Sequence, residues 1–333
     1  MKKLIILGTI ITFAAALLTG CSAVFHTTGT GQIIDKTYDF KDFTNIELSS
    51  SYQYDFRQAD TYSVVISAPQ STLDRVDIRQ SGNTLVVSMR YIPFSSSNAR
   101  ITITLPQLNK LTVSGSCDGS ATGFSSNNDL EIGVSGSSRL DADFKAAKTG
   151  INVSSSSYIS GNMTASDTTI NISASSRMNM DIVTGKTSIA VSSSSNATGK
   201  LTAADTEIKV HNSSNLNMTM QTGNTTMEVS GSSTVRGSLD ALDSAFTINN
   251  SSRCELTGSA CNSTILATGS SNMISPGLIL KSADVTLESS SHAGIFTNGA
   301  MSIDISGSST LDYYGNPSIG KTNVNSSSRL NHK

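Results

Sequence analysis

From Val113 to the end of the chain, apolar and polar positions return in the same order about every nineteen residues. The anchor is a five-residue phrase, apolar-x-x-Ser-Ser, with copies starting at Val113, Val134, Val153, Ile172, Val191, Val210, Val229, Ile248, Ala267, Leu287, Ile305 and Val324. The spacings are 21, then 19 seven times, then 20, 18 and 19. The fourth position is Ser in all twelve copies and the fifth is Ser in eleven, with Cys117 the near-isosteric exception. Two residues before each phrase stand Leu111, Ile132, Ile151, Ile170, Ile189, Ile208, Met227, Phe246, Ile265, Val285, Ile303 and Thr322, of which only the last is polar. Within a unit the apolar residues alternate with polar ones, as at Met227 and Val229, the period of two shown by a strand with one face turned inward.

Short strands broken at Ser-Ser and at Gly, with no helical period, predict one coil of a parallel β-solenoid per unit. Equivalent positions of successive coils then lie roughly 4.8 Å apart. A repeated apolar letter becomes a core column, and a repeated Ser becomes a ladder of hydroxyls at a corner. A second inward column reads Leu140, Ile159, Met178, Ala197, Leu216, Val235, Cys254, Met273, Ala293, Leu311 and Leu330. A surface column reads Lys148, Asp167, Lys186, Asp205, Asn224, Asp243, Asn262 and Lys281, where unlike charges one coil apart attract. Twelve coils make a rod of about 55 to 60 Å.

The ends of such a rod are open strand edges unless something covers them. Residues 33–110 lack the regular repeat and hold nine of the chain's eighteen aromatics, among them Tyr38, Phe40, Phe43, Tyr52, Tyr54 and Phe56. They alternate well in "YSVVISAP", "TLVVSMRY" and "RITITLP" and read as an N-terminal β cap, with the repeats filling residues 111–333. No C-terminal cap is visible. The adjacent Tyr313 and Tyr314 cannot both point inward on a regular strand, so this end is a candidate interface, for self-association or for a partner that adds strands.

At the other extreme, Lys2 and Lys3 precede "LIILGTIITFAAALL", the length of a signal-peptide core and short of the roughly 20 residues that span a bilayer. It ends in Leu18, Thr19, Gly20 and Cys21, which resembles the lipobox of bacterial lipoproteins. That resemblance implies cleavage after residue 20, a diacylglycerol on Cys21 as the only membrane anchor, and residues 21–32 as a lipidated Cys with a flexible tether. Ser22, being other than Asp, implies the outer membrane or cell surface in a Gram-negative cell. Loss of Lys2 and Lys3 moves the net charge from −2 to −4, so no basic footprint for nucleic acid is present.

The stretches "FTNIELSSSYQYDFRQADTYSVVISAP", "NTLVVSMR" and "ARITITLPQLNKLTVSGSCDGSATG", followed by repeated "VSGSS" units, resemble the bacterial family described as putative auto-transporter adhesin, head GIN domain. The resemblance runs over roughly residues 40–325. It implies an all-β, single-stranded right-handed parallel β-helix on an exported, often lipid-anchored protein with an adhesin-like role, and it carries no catalytic or binding residues with it.

Polysaccharide lyases and hydrolases also use parallel β-helices, so an enzyme is the rival reading. Such sites need carboxylates, with Arg, Lys or a metal, converging from adjacent coils. Here Asp141 and Asp143 meet Ser160 and Asn162 on the next coil, and Asp181 follows one coil later. His26, His211, His292 and His332 are scattered. The sequence thus predicts no catalytic, cofactor or metal site, and a binding or scaffold role with a protein or glycan surface as ligand. Cys254 and Cys261 lie on one coil, and the sequence leaves open a disulfide or two small core residues.

Overall fold

The computed structural model describes residues 31–90 and 98–333. Cys21 and nearly all of the tether fall outside them. The units pair as their period requires. Ile151 lies beside Ile170, then Ile189, Ile208, Met227, Phe246 and Ile265, each strand parallel to the next and in register. None of these side chains is more than 1% exposed. Leu140 through Leu330 form the second inner column as read, and the molecule is a parallel β-solenoid of about 12 turns with about 19 residues per turn. A strand such as Tyr158–Ile172 runs 15 residues along its coil, and the chain is interrupted mainly at the Ser-Ser corner.

That corner has a specific construction. The third and fourth residues of the phrase adopt left-handed backbone angles, as at Ser193 (φ 57°), Ser194 (62°), Asn212 (57°) and Ser213 (61°). Each non-glycine residue there costs about 1–2 kcal/mol, which explains Gly at the third place in five copies and Asn in two. The fifth residue turns back inward and is buried: Ser176, Ser195, Ser214 and Ser252 have no exposure. Its Oγ accepts the backbone N–H of the fifth residue one coil earlier, Ser176 donating to Ser195 and Ser195 to Ser214, both at 3.2 Å. Four further rungs, from Ser138, Ser157, Ser214 and Ser233, have the same length. The fourth residue's N–H goes instead to a carbonyl of the next coil, as from Ser194 to Asn212 at 3.0 Å. At Ser176 and Ser195 the fifth Ser of the next coil is therefore needed because the corner leaves a buried N–H that no carbonyl reaches; the Ser138 N–H also reaches the Ser135 carbonyl, at 3.3 Å.

Ser195→Ala should strand the Ser176 N–H and cost about 1–3 kcal/mol. Ser194→Gly, which relaxes a left-handed residue, should leave stability equal or higher. Urea unfolding of both variants checks this; a midpoint for Ser195→Ala matching wild type would remove the ladder as a stabilising element.

Residues 33–110 contribute more to the stack than a lid. Ile46 and Leu48 pair in parallel with Leu111 and Val113, and Tyr54 pairs with Gly119, so Asn45–Leu48 and Gln53–Gln58 form the layer beneath the first repeat. Thr84–Met89 and Arg100–Leu105 form the layer beneath that one. The chain thus builds its second layer first, goes out to the first, and returns to the third. Antiparallel strands then cover the outer edge: Ser63–Pro69 on Arg100–Leu105, Val76–Ser81 on Thr84–Met89, and Ile33–Tyr38 on Ser63–Pro69. Gly119 breaks the inner column because a Cβ there would sit 2.7 Å from the Tyr54 ring and 2.0 Å from its carbonyl. The buried Tyr54 hydroxyl donates to the Arg139 carbonyl at 2.7 Å, tying the two ends of this step together.

The surface column is present with one change. Lys148 pairs with Asp167 at 3.9 Å, and Asn224 and Asn262 each donate to the aspartate one coil earlier, Asp205 and Asp243, at 2.8 Å. Its last place is taken by Ser282, which donates to Asn262 at 2.9 Å, and not by Lys281, because that coil carries an extra residue. Cys117, Cys254 and Cys261 are free thiols. Burial pushes Cys254 up to about 12 and Cys117 to about 11, so both stay protonated and act as core side chains.

Candidate functional site

At every corner but the last, where Ser328 is half-buried, the fourth residue of the phrase and the residue two places later both face outward across the buried fifth. Stacked over many coils, these two rows are the walls of a trough along the rod. In Ser156, Ser157 and Tyr158 the pattern is exposed, buried and half-exposed. Over much of its length the second wall is low, formed by Asn196, Asn215 and Thr234. Over three consecutive coils it is high, because Arg139, Tyr158 and Arg177 stand in register. With Ser137, Ser156 and Ser175 opposite, they bound a space of about 910 Å³.

Two of the three residues of the high wall touch each other. The Arg139 guanidinium lies 5.4 Å from the Tyr158 ring centre, a cation-π contact that favours this placement of the two groups. Neither Arg139 nor Arg177 is among the ion pairs of the described residues. Asp118 stands beside Arg139 in register and is the one acid lining this space. Further along the same row, Arg253 differs: together with Arg236 it binds Glu255, Arg236 at 2.7 Å. Partial burial raises the Glu255 carboxyl, but hydrogen bonds from the two guanidiniums and their charge outweigh it and hold the group below its ordinary value. A reading of the sequence by columns from the Ser pair would have brought Arg139, Tyr158 and Arg177 together; the apolar letters alone did not.

The acids considered for catalysis are kept apart. Asp141 sits beside Ser160, whose hydroxyl donates to it at 3.3 Å, while Asp143 is separated from Asp181 by Asn162. Asp181 is paired with Lys200 at 3.9 Å. His211 contacts Ser230 at 2.5 Å and His292 contacts Asp312 at 3.1 Å, on separate coils. Among the described residues no group of three His, Cys, Asp or Glu is arranged to hold a metal, and no helix is long and apolar enough to cross a membrane.

At the C-terminal end, Ser318–Val324 and Arg329–His332 pair only with the preceding coil. Ile319 and Val324 are each 38% exposed. Tyr313 and Tyr314 are both half-buried, and Tyr313 is covered by the ring of His332, stacked at 4.7 Å. Cys21 lies outside the described residues.

The family model described as "Putative auto-transporter adhesin, head GIN domain" matches residues 42–205 and 199–317. The chain belongs to this family. The match begins within the non-sequential layers, so the family includes the step from Leu48 to Val113 as well as the regular coils. Membership suggests a cell-surface or exported protein. Among solved structures, a "putative adhesin" from Parabacteroides merdae superposes with a TM-score of 0.47 at 12% identity, over 92% of this chain and 99% of that one. A "putative adhesin" from Parabacteroides distasonis gives 0.43 at 12%, with the same coverage. A "putative lipid binding protein" from the same species gives 0.30 at 15%, over 92% and 98%. No curated protein matches the chain.

Proposed function

We infer that this GIN-domain protein is a non-enzymatic, lipid-anchored component of the cell envelope, with an adhesin-like or scaffold role carried by the surface of its solenoid. The observation behind this is the uniformity of the outer faces. The same outward positions recur coil after coil, and many charged groups on them are engaged with each other, as in Lys148 with Asp167, Lys200 with Asp181, and Arg236 and Arg253 with Glu255. Such a surface suits extended contact with a protein or glycan ligand better than chemistry at one point. Cys21 would hold the rod to the membrane through its lipid, facing the periplasm or the exterior of the outer membrane in a Gram-negative cell. The open C-terminal coil, with Tyr313 and Tyr314 behind it, would be the end that meets a partner or a second copy.

The anchor and the contact role are tested together. Cys21→Ser should give an exported chain that leaves the membrane fraction in salt and carbonate washes, while the purified chain still adheres to cells or matrix. Tight membrane retention of the processed variant would overturn the anchor, and absence of adherence by the wild-type chain would overturn the role. Sedimentation of the wild type beside a Tyr313→Ser, Tyr314→Ser form reads the C-terminal end: monomers in both, with unchanged adherence, would remove that contact.

A further inference from the structure

We propose that the trough at Arg139, Tyr158 and Arg177 is a subsite for an acidic polysaccharide, lying along the rod axis with its carboxylate or sulfate groups on the two guanidiniums. This names a ligand class for the adhesin-like reading above and rests on it. Three observations point to this ligand. The guanidiniums have no carboxylate partner among the described residues, so their forked donors are available to a planar or tetrahedral anion. They are two coils apart, roughly 10 Å by the coil spacing, which suits acid groups recurring along an extended chain. The facing wall is a row of hydroxyls, Ser137, Ser156 and Ser175, suited to sugar hydroxyls at the same pitch.

The same geometry disfavours the other anionic chains. A peptide would gain little from its main chain here, because the corner's N–H groups are already spent: Ser137 and Ser156 donate to the next coil's carbonyls, and Ser138 and Ser157 to its Ser hydroxyls. It would also find no apolar pocket for its side chains, since the wall opposite is Ser throughout. An acyl chain would find little apolar surface here beyond the Tyr158 ring. The contact of Arg139 with the Tyr158 ring restrains that part of the site before binding, which lowers the entropy cost of engaging a flexible chain. Asp118, beside Arg139, opposes anions at the N-terminal end of the trough, and Asp141 lies two residues along the same strand.

The test is binding of the purified full chain to polygalacturonate and to dextran sulfate, with neutral dextran and poly-L-glutamate as comparisons. The wild type should bind one or both acidic polysaccharides and not dextran, with affinity falling as salt rises. Arg139→Gln with Arg177→Gln should weaken this by about tenfold or more. Arg329→Gln, in the same row on the last coil, should leave it unchanged, and Asp118→Asn should strengthen it. All four substitutions are on outward positions, and equal melting curves establish that the fold is intact. No binding to either polysaccharide, an equal loss in Arg329→Gln, or equally tight Arg-dependent binding of poly-L-glutamate would overturn the proposal. Cell adherence separates it from the broader reading. Adherence without polysaccharide binding overturns the subsite alone, and polysaccharide binding without adherence overturns the adhesin role alone.

Discussion

Ile189→Asp should disrupt the middle of the rod, lowering stability by about 4 kcal/mol or more. Ile189 is 1% exposed and stacks between Ile170 and Ile208, neither of which offers a polar group to receive a carboxylate. A charge there must either be buried unpaired or take up a proton, and both are strongly disfavoured. Because each coil touches only its neighbours, the damage should spread from this coil to those above and below it. Asn196→Asp makes the matching control. The Asn196 Oδ1 accepts from Asn215 at 3.0 Å, and an aspartate keeps that acceptor, so a change within about 0.5 kcal/mol is expected. Thermal unfolding of the two variants distinguishes them, and equal melting temperatures would contradict the stacking register.

Gly199→Ala should be comparably damaging although it adds one methyl group. Along one column the residues read Gly161, Met180, Gly199, Met218, Gly237 and Leu256, small and large in strict alternation. The three glycines have φ of 121°, 131° and 129°, where side chains are rarely tolerated. A Cβ on Gly199 would lie 1.9 Å from the Met180 carbonyl oxygen, a backbone atom fixed by the ladder. Met180 and Met218, each 1% exposed, are unbranched and can fill the space that the glycine coils leave. Strain and overlap together predict a loss of several kcal/mol. Gly150→Ala has open space around its Cβ and no positive φ, so it should be neutral or stabilising by about 0.4–1 kcal/mol. Equal melting temperatures for Gly199→Ala and Gly150→Ala would show that the alternation is not a packing requirement.

Much of the fold was legible because a solenoid writes its contacts at a constant offset. Ile170 meets Ile189 for the same reason that Lys148 meets Asp167: both pairs are nineteen residues apart, so a column of letters is a column of side chains. The reading slipped where the offset changed. One extra residue put Ser282 where Lys281 was expected, and a long excursion separated Leu48 from Val113 although they are neighbours. The constant offset also places single polar residues: Asp143 and Asp181 are two coils apart with Asn162 between them, as their numbering requires.

By itself, then, the sequence determined the period, the two inner columns, the strand class and the repeated corner, because these depend only on spacing and on which letters are apolar. The tertiary structure decided what spacing does not encode. Layer order at the N-terminal end follows from which strand edges find partners, and the sequence cannot rank those. The inward turn of the fifth Ser follows from two left-handed residues before it, which shift the alternation so that one hydroxyl of an apparently equivalent pair is buried and the other exposed. The standing of Arg139, Tyr158 and Arg177 as one wall follows from that same shift, which turns the residue after the buried Ser outward on each of these coils.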